Sequence, residues 1–153
     1  MKHILDRPED YERISEFVYS HIGLYGKPSN FTAIGLEQDG KIIAGVVYAD
    51  YNGSNITASI AVDGRLTPEF IWFMFYYPFM QAGAKRITAC VETNNYKSQR
   101  FVEKLGFELE FSMKRAGRFG DLLIYRMFHD NCKYLEERYG RSSRRQRITT
   151  TSA

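Results

Sequence analysis

The chain has 153 residues, 44% of them hydrophobic and 25% charged, which bounds it to one domain with a core of its own. Its two cysteines, Cys90 and Cys132, have neither metal-ligand spacing nor a disulfide framework, so both are expected as free thiols in a reducing compartment. The net charge of +3 is an end effect: residues 141–153 hold Arg141, Arg144, Arg145 and Arg147 and no acid, which leaves residues 1–140 at −1.

Residues 2–5 read as a first strand. Asp6 as N-cap, Pro8 in the first turn and Glu9 completing a capping box predict a helix. Its buried stripe is Tyr11, Ile14, Phe17, Val18 and Ile22, and Gly23 ends it. After a loop over 26–30, residues 31–38 and 41–51 flank Asp39-Gly40, a strong hairpin signal. Asn52-Gly53-Ser54 turns the chain again, and residues 55–62 alternate as a further strand. Asp63, Gly64, Arg65 and Leu66 form the next turn, with Thr67 as N-cap and Pro68 at the first helical position. Residues 70–77 are apolar nearly all round. This predicts a helix packed by the sheet on one side and by a second element or a second subunit on another, so a homodimer is one expectation. The apolar run over 70–80 is too short for a membrane span and contains Pro78.

Residues 86–92 are β-branched and alternate, which predicts a strand. Asn95 caps the following helix, where Phe101, Val102 and Leu105 make the apolar stripe. Gly106 suits a left-handed C-cap with Phe107 folding back onto it. A final strand pair follows, with an amphipathic extension over 132–135. The domain is expected to fill residues 1–140. Residues 141–153 offer too little apolar surface to offset their ordering entropy, so a solvated, disordered tail is expected. As an electrostatic arm for nucleic acid, that tail would have no interleaved aromatic residue. The N-terminus shows no signal-peptide pattern, and a cytoplasmic protein is expected.

The residues over 91–107 carry a resemblance. Asn95, Ser98, Phe101, Leu105-Gly106-Phe107 and Glu110 resemble the N-x-x-S…F-x-x-x-L-G-F-x-x-E signature of the GNAT superfamily of N-acetyltransferases. Residues 120–127 resemble that family's last strand, and the likeness spans roughly residues 40 to 135. The fold it implies is α/β, more closely α+β. It is a single domain around a mixed, mostly antiparallel sheet with helices on both faces and splayed fourth and fifth strands. The activity it implies is acetyl transfer from acetyl-CoA to a primary amine of a protein or small molecule.

The same resemblance assigns roles. Backbone N–H groups of Ile60, Ala61 and Val62 would meet the pantetheine and thioester. The helix start at Thr67, helped by Arg65, would bind pyrophosphate, since charge-assisted donors suit phosphate. Asn95 would contact pantetheine, and Ser98, one turn on, would protonate or solvate the leaving sulfur. No metal is implied. Two positions depart from the branch that acetylates ribosomal-protein alanine termini. Cys90 replaces its glutamate and Val102 its tyrosine, and Cys90 is expected as a buried strand residue. The asparagine-to-serine spacing instead resembles the branch that modifies ribosomal-protein serine termini. The remaining general-base candidates are Glu92, Glu37 and Asp50, or water relayed between them. His3, His21 and His129 have no motif partners. The usual Q/R-x-x-G-x-G/A loop is absent. This keeps open a second expectation, a catalytically degenerate interaction domain that still binds CoA.

Overall fold

The computed structural model describes residues 1–23 and 27–136. The basic tail expected over 141–153 lies outside the described residues. The described residues form seven strands and three α-helices. They are β1 (Lys2–Leu5), α1 (Tyr11–Ile22), β2 (Thr32–Gln38), β3 (Lys41–Ala49), β4 (Asn55–Val62), α2 (Pro68–Tyr76), β5 (Arg86–Glu92), α3 (Tyr96–Leu105), β6 (Glu108–Gly117) and β7 (Gly120–Phe128). One sheet runs in the order β1-β2-β3-β4-β5-β7-β6. Every neighbouring pair is antiparallel except β4 and β5, which are parallel. The single-domain, mixed and mostly antiparallel α/β fold expected from the sequence is the one observed.

Local signals explain most boundaries. Asp39 and Gly40 both take left-handed backbone, at φ 52 and 80, as a two-residue hairpin turn requires. Thr67 caps α2 by accepting a hydrogen bond from the Phe70 N–H at 3.1 Å. At α3, the Asn95 side chain accepts from the Ser98 N–H at 3.2 Å, and Gly106 closes the helix at φ 102. The expected start of α1 needs correction. Asp6 does not cap it; Pro8–Asp10 forms a short 3-10 turn behind Arg7, and the α-helix begins at Tyr11. Beyond α2 the chain keeps winding through Tyr77–Gln81 as a wider helical turn. Pro78 has no N–H to continue the ordinary ladder, and the Ala82 N–H reaches back five residues to the Tyr77 carbonyl at 2.9 Å.

Two cores flank the sheet. On one face α1 lays the fully buried Ile14 and Val18 against Ala33, Val47 and Ala61, covering β2, β3 and β4. On the other face α2 and α3 bury Phe70, Phe75, Val102 and Leu105 with Tyr125 and Met127 of β7. The extension over 132–135 supplies Tyr134, which stacks on Phe75 at 5.0 Å. The Tyr125 hydroxyl donates to Glu103 at 3.0 Å and ties α3 to β7. Glu110 of the signature accepts from Arg86 at 3.0 and 3.2 Å and pairs with Arg126 at 3.1 Å, so it fastens the edge strand β6 to the sheet. Among the described residues no helix is long and apolar enough to cross a membrane. None of their His, Cys, Asp and Glu side chains groups in threes suited to a metal ion.

Candidate active site

The sheet opens between its two parallel strands. β4 and β5 pair only at Asn55↔Arg86, Ile56↔Ile87 and Thr57↔Thr88. Beyond those pairs, residues 58–62 have no strand partner on that side, while β5 continues to Glu92 paired with β7 alone. The closed end is clamped. The Thr88 hydroxyl donates to Asn55 Oδ1 at 2.6 Å, and the Lys85 and Arg86 N–H groups reach the Ser54 carbonyl at 2.7 and 3.1 Å.

Strand alternation fixes which backbone groups face the opening. The Asp63 N–H donates to Ile43 of β3 at 2.7 Å, so Ala61, two residues back, also turns its amide toward β3. Ile60 and Val62 therefore present theirs to the gap. The Val62 carbonyl accepts from Lys97 Nζ at 3.1 Å, consistent with that direction. Polar backbone left without a ladder partner beside an apolar wall is an arrangement suited to an extended, amide-bearing ligand.

Two cavities meet there. A narrow one of about 180 Å³ lies inside the opening, walled by Ala58, Ile60, Ala89 and Val102, with Glu92 and Ser98 among its few polar groups. A wider groove of about 620 Å³ runs outside it, past Ala61 and Val62 to Lys97, Arg100 and Lys104. Ile22, Asn95, Ser98 and Phe101 line both, so the two spaces adjoin at the start of α3.

The expected site residues divide between these spaces and elsewhere. Ile60, Asn95, Ser98 and Glu92 line the inner cavity, and Ala61 and Val62 line the groove. Asn95 already spends its side-chain oxygen on the cap of α3. Glu92 is buried, and both carboxylate oxygens accept from the Arg118 N–H, at 2.8 and 3.2 Å. Arg65 and Thr67 line neither space. Arg65 is exposed and its carbonyl accepts from Lys2, while the Thr67 hydroxyl is engaged in capping α2. Glu37 stands away from the opening and pairs with Arg13. Asp50 is exposed just past β3, near enough to Cys90 to act on its thiol.

Cys90 corrects an expectation, for it is exposed on the cavity wall. β5 turns Ala89 and Val91 into the core under α2 and α3, and Cys90 points to the opposite face, where α1 packs mainly on β2, β3 and β4. Partial desolvation, and then the Asp50 charge, push its thiol above the ordinary 9.0. A raised thiol pKa disfavours the thiolate, the nucleophilic form.

Sequence reasoning missed three groove residues. Lys97, Arg100 and Lys104 sit at i, i+3 and i+7 on α3, one face of a helix. That spacing was readable, but the apolar stripe of the same helix drew the reading. His21 was also set aside. It lines the groove, with Nε2 3.6 Å from an Asp63 oxygen.

A scan against protein-family models matches none, and a search of curated proteins finds no relative. Solved structures do match. Spermidine N-acetyltransferase from Vibrio cholerae, in complex with CoA and spermine, is similar at a TM-score of 0.65 and 15% identity over 88% of this chain and 98% of that one. A Salmonella typhimurium protein solved with acetyl-CoA gives 0.63 and 15% over 89% and 98%. The ribosomal-protein-S18-alanine N-acetyltransferase from Escherichia coli gives 0.60 and 14% over 84% and 94%. With its parted parallel strands and the helix start beside them, this chain has the fold of the GNAT N-acetyltransferases.

Proposed function

We propose that the protein is an acetyl-CoA-dependent N-acetyltransferase acting on a primary amine. The observation that carries this reading is the junction of the two cavities at Asn95 and Ser98, beside the Ile60 and Val62 amides that have no strand partner across the gap. The cationic groove suits a phosphate-bearing nucleotide, and the apolar inner cavity suits an uncharged thioester arm. Bound acetyl-CoA would supply an activated acetyl group.

The chain's own groups then divide the work. The Ile60 and Val62 N–H groups donate hydrogen bonds to the arm and stabilise the carbonyl oxygen as negative charge develops. Glu92 accepts a proton from the amine nitrogen as the new C–N bond forms. The C–S bond breaks, and Ser98 passes a proton to the departing sulfur, recovering one from solvent. Lys97, Arg100 and Lys104 hold the phosphates, while Ile22 and Leu122 keep water from the inner cavity.

The narrow space favours an unbranched aminomethyl or N-terminal group at the reacting position. The branch of acceptor follows from this only as a class, a small amine or a protein N-terminus.

One observation favours a second reading, a CoA-binding domain without catalysis. Gly64 is the only glycine of the turn before α2, and a Cβ there would lie 3.1 Å from Ile43, so it serves packing on β3 rather than approach to a phosphate. A thermal-shift titration separates the readings when paired with an acetylation assay. At a hundredfold excess over Kd, acetyl-CoA is expected to add about 2.7 kcal/mol of stability, with ATP adding much less. A shift without acetyl transfer to any amine establishes the binding domain. No shift at millimolar acetyl-CoA removes both.

A further inference from the structure

Glu92 sits in a socket made by a part of the chain far from it in sequence. Its two oxygens share the Arg118 N–H of the turn between β6 and β7. A Cβ on Gly117 would stand 2.4 Å from Glu92 Oε2 and 2.8 Å from the Asp121 carbonyl, so the position admits no side chain while carboxylate and turn stay in place. Other groups hold that turn. Asp121 accepts from the Arg115 N–H at 3.0 Å and from the Ser112 hydroxyl at 3.2 Å, and the Arg118 guanidinium donates to the Gly23 carbonyl at the end of α1. On the other side, Gln99 Nε2 donates to the Glu92 and Thr93 carbonyls at 3.1 and 2.9 Å, fixing the backbone that bears the carboxylate. A carboxylate offers about four lone-pair sites, and one shared N–H leaves acceptor capacity on the cavity side.

We propose that Gly117 and the Arg118 amide are the positioning device for Glu92, aiming its carboxylate at the acceptor nitrogen; this rests on the acetyltransferase reading. As the amine attacks, one N–H proton passes to Glu92, the C–N bond forms, the C–S bond breaks and the sulfur takes the proton that Ser98 delivers. The socket sets where the proton goes and has no part in holding acetyl-CoA. Pre-set geometry of this kind governs rate, since small misplacements of a reacting group are costly.

The full chain tests this with acetyl-CoA and three acceptors, spermidine, tyramine and an alanine-terminated peptide, with product read by mass. The Arg118 amide resonance is expected to move upfield in Glu92→Gln. Gly117→Ala is expected to lower kcat by at least ~10-fold while the Kd for acetyl-CoA holds within about twofold. Glu92→Asp alone lowers kcat, yet added to Gly117→Ala it raises kcat about threefold over the single variant, because the shorter carboxylate relieves the clash. Should Gly117→Ala fail to fold, Arg118→Ala, which cuts the tie to Gly23, is expected to lower kcat with acetyl-CoA affinity held. Additive losses in the double variant, an unmoved Arg118 amide in Glu92→Gln, or unchanged kcat in Arg118→Ala overturns the proposal alone. A wild type that acetylates none of the three acceptors overturns the enzyme reading and the positioning role together.

Discussion

Strands β4 and β5 touch at one end and part at the other, and the two ends are built from different chemistry. At the closed end the polar side chains of Asn55 and Thr88 meet, and the Ser54 carbonyl takes two N–H groups. At the open end small residues, Ala58 and Ala89, face a cavity, and the α3 start lies beside it. Stability resides in the first, where hydrogen bonds are satisfied internally. The proposed binding site lies in the second, where the Ile60 and Val62 amides have no strand partner across the gap. The splay is thus a division of labour along seven or eight residues of strand.

Substitutions at the open end are expected to change rate and binding, and those at the closed end stability. The largest effect belongs to Glu92→Gln, which keeps shape and removes the proposed base. It is expected to lower kcat by ~10²–10⁴-fold with acetyl-CoA affinity retained, read by steady-state kinetics and calorimetry. Ser98→Ala follows, with a loss of about 10²-fold in kcat; unchanged turnover would assign Ser98 to the first turn of α3 alone. Replacing Lys97, Arg100 and Lys104 together by Ala is expected to weaken acetyl-CoA binding by ~10–100-fold and to flatten its salt dependence, with kcat at saturation preserved.

Thr88→Val is the contrasting closed-end variant. It removes the bond to Asn55 and a 3.2 Å bond from Arg86, and is expected to cost about 1–2 kcal/mol of stability without altering acetyl-CoA affinity. Loss of affinity there would mean that the two ends are not independent.

The smallest effect is in acid. Hydrogen bonding from Arg86 holds the Glu110 carboxyl below the ordinary 4.5, and the Arg115 N–H holds Asp121 below 3.8. A depressed native value stabilises the fold above the ordinary value, and the benefit is lost as pH falls through the lower one. The melting temperature is therefore expected to decline below about pH 4.5, and Glu110→Gln to make that decline shallower, as thermal melts between pH 7 and 3 would record.

How much of this was legible depended on range along the chain. The hairpin at Asp39-Gly40, the cap at Asn95 and the stop at Gly106 are local, and each was readable because a few residues decide it. The open gap was implied by resemblance and could not be derived from alternation, since β4 and β5 look equally suited to pairing along their whole length. Cys90 was misread because its neighbours Ala89 and Val91 are core residues, while nothing in the sequence says that α1 packs mainly on β2, β3 and β4 and leaves Cys90 exposed. The grip of Arg118 on Glu92 joins residues 26 positions apart through a backbone N–H, which leaves no side-chain signature. Arg65 and Thr67 were chosen for their place at a helix start, and in the fold that start lines neither cavity.

The central claim is that the open end of the strand pair receives acetyl-CoA while the closed end does not. Backbone amide resonances followed during an acetyl-CoA titration of the full chain test it most directly. The account predicts large shifts at Ile60 and Val62, with Thr57 and Thr88 unmoved. Saturable shifts confined to Thr57 and Thr88, or none anywhere at millimolar acetyl-CoA, would contradict it.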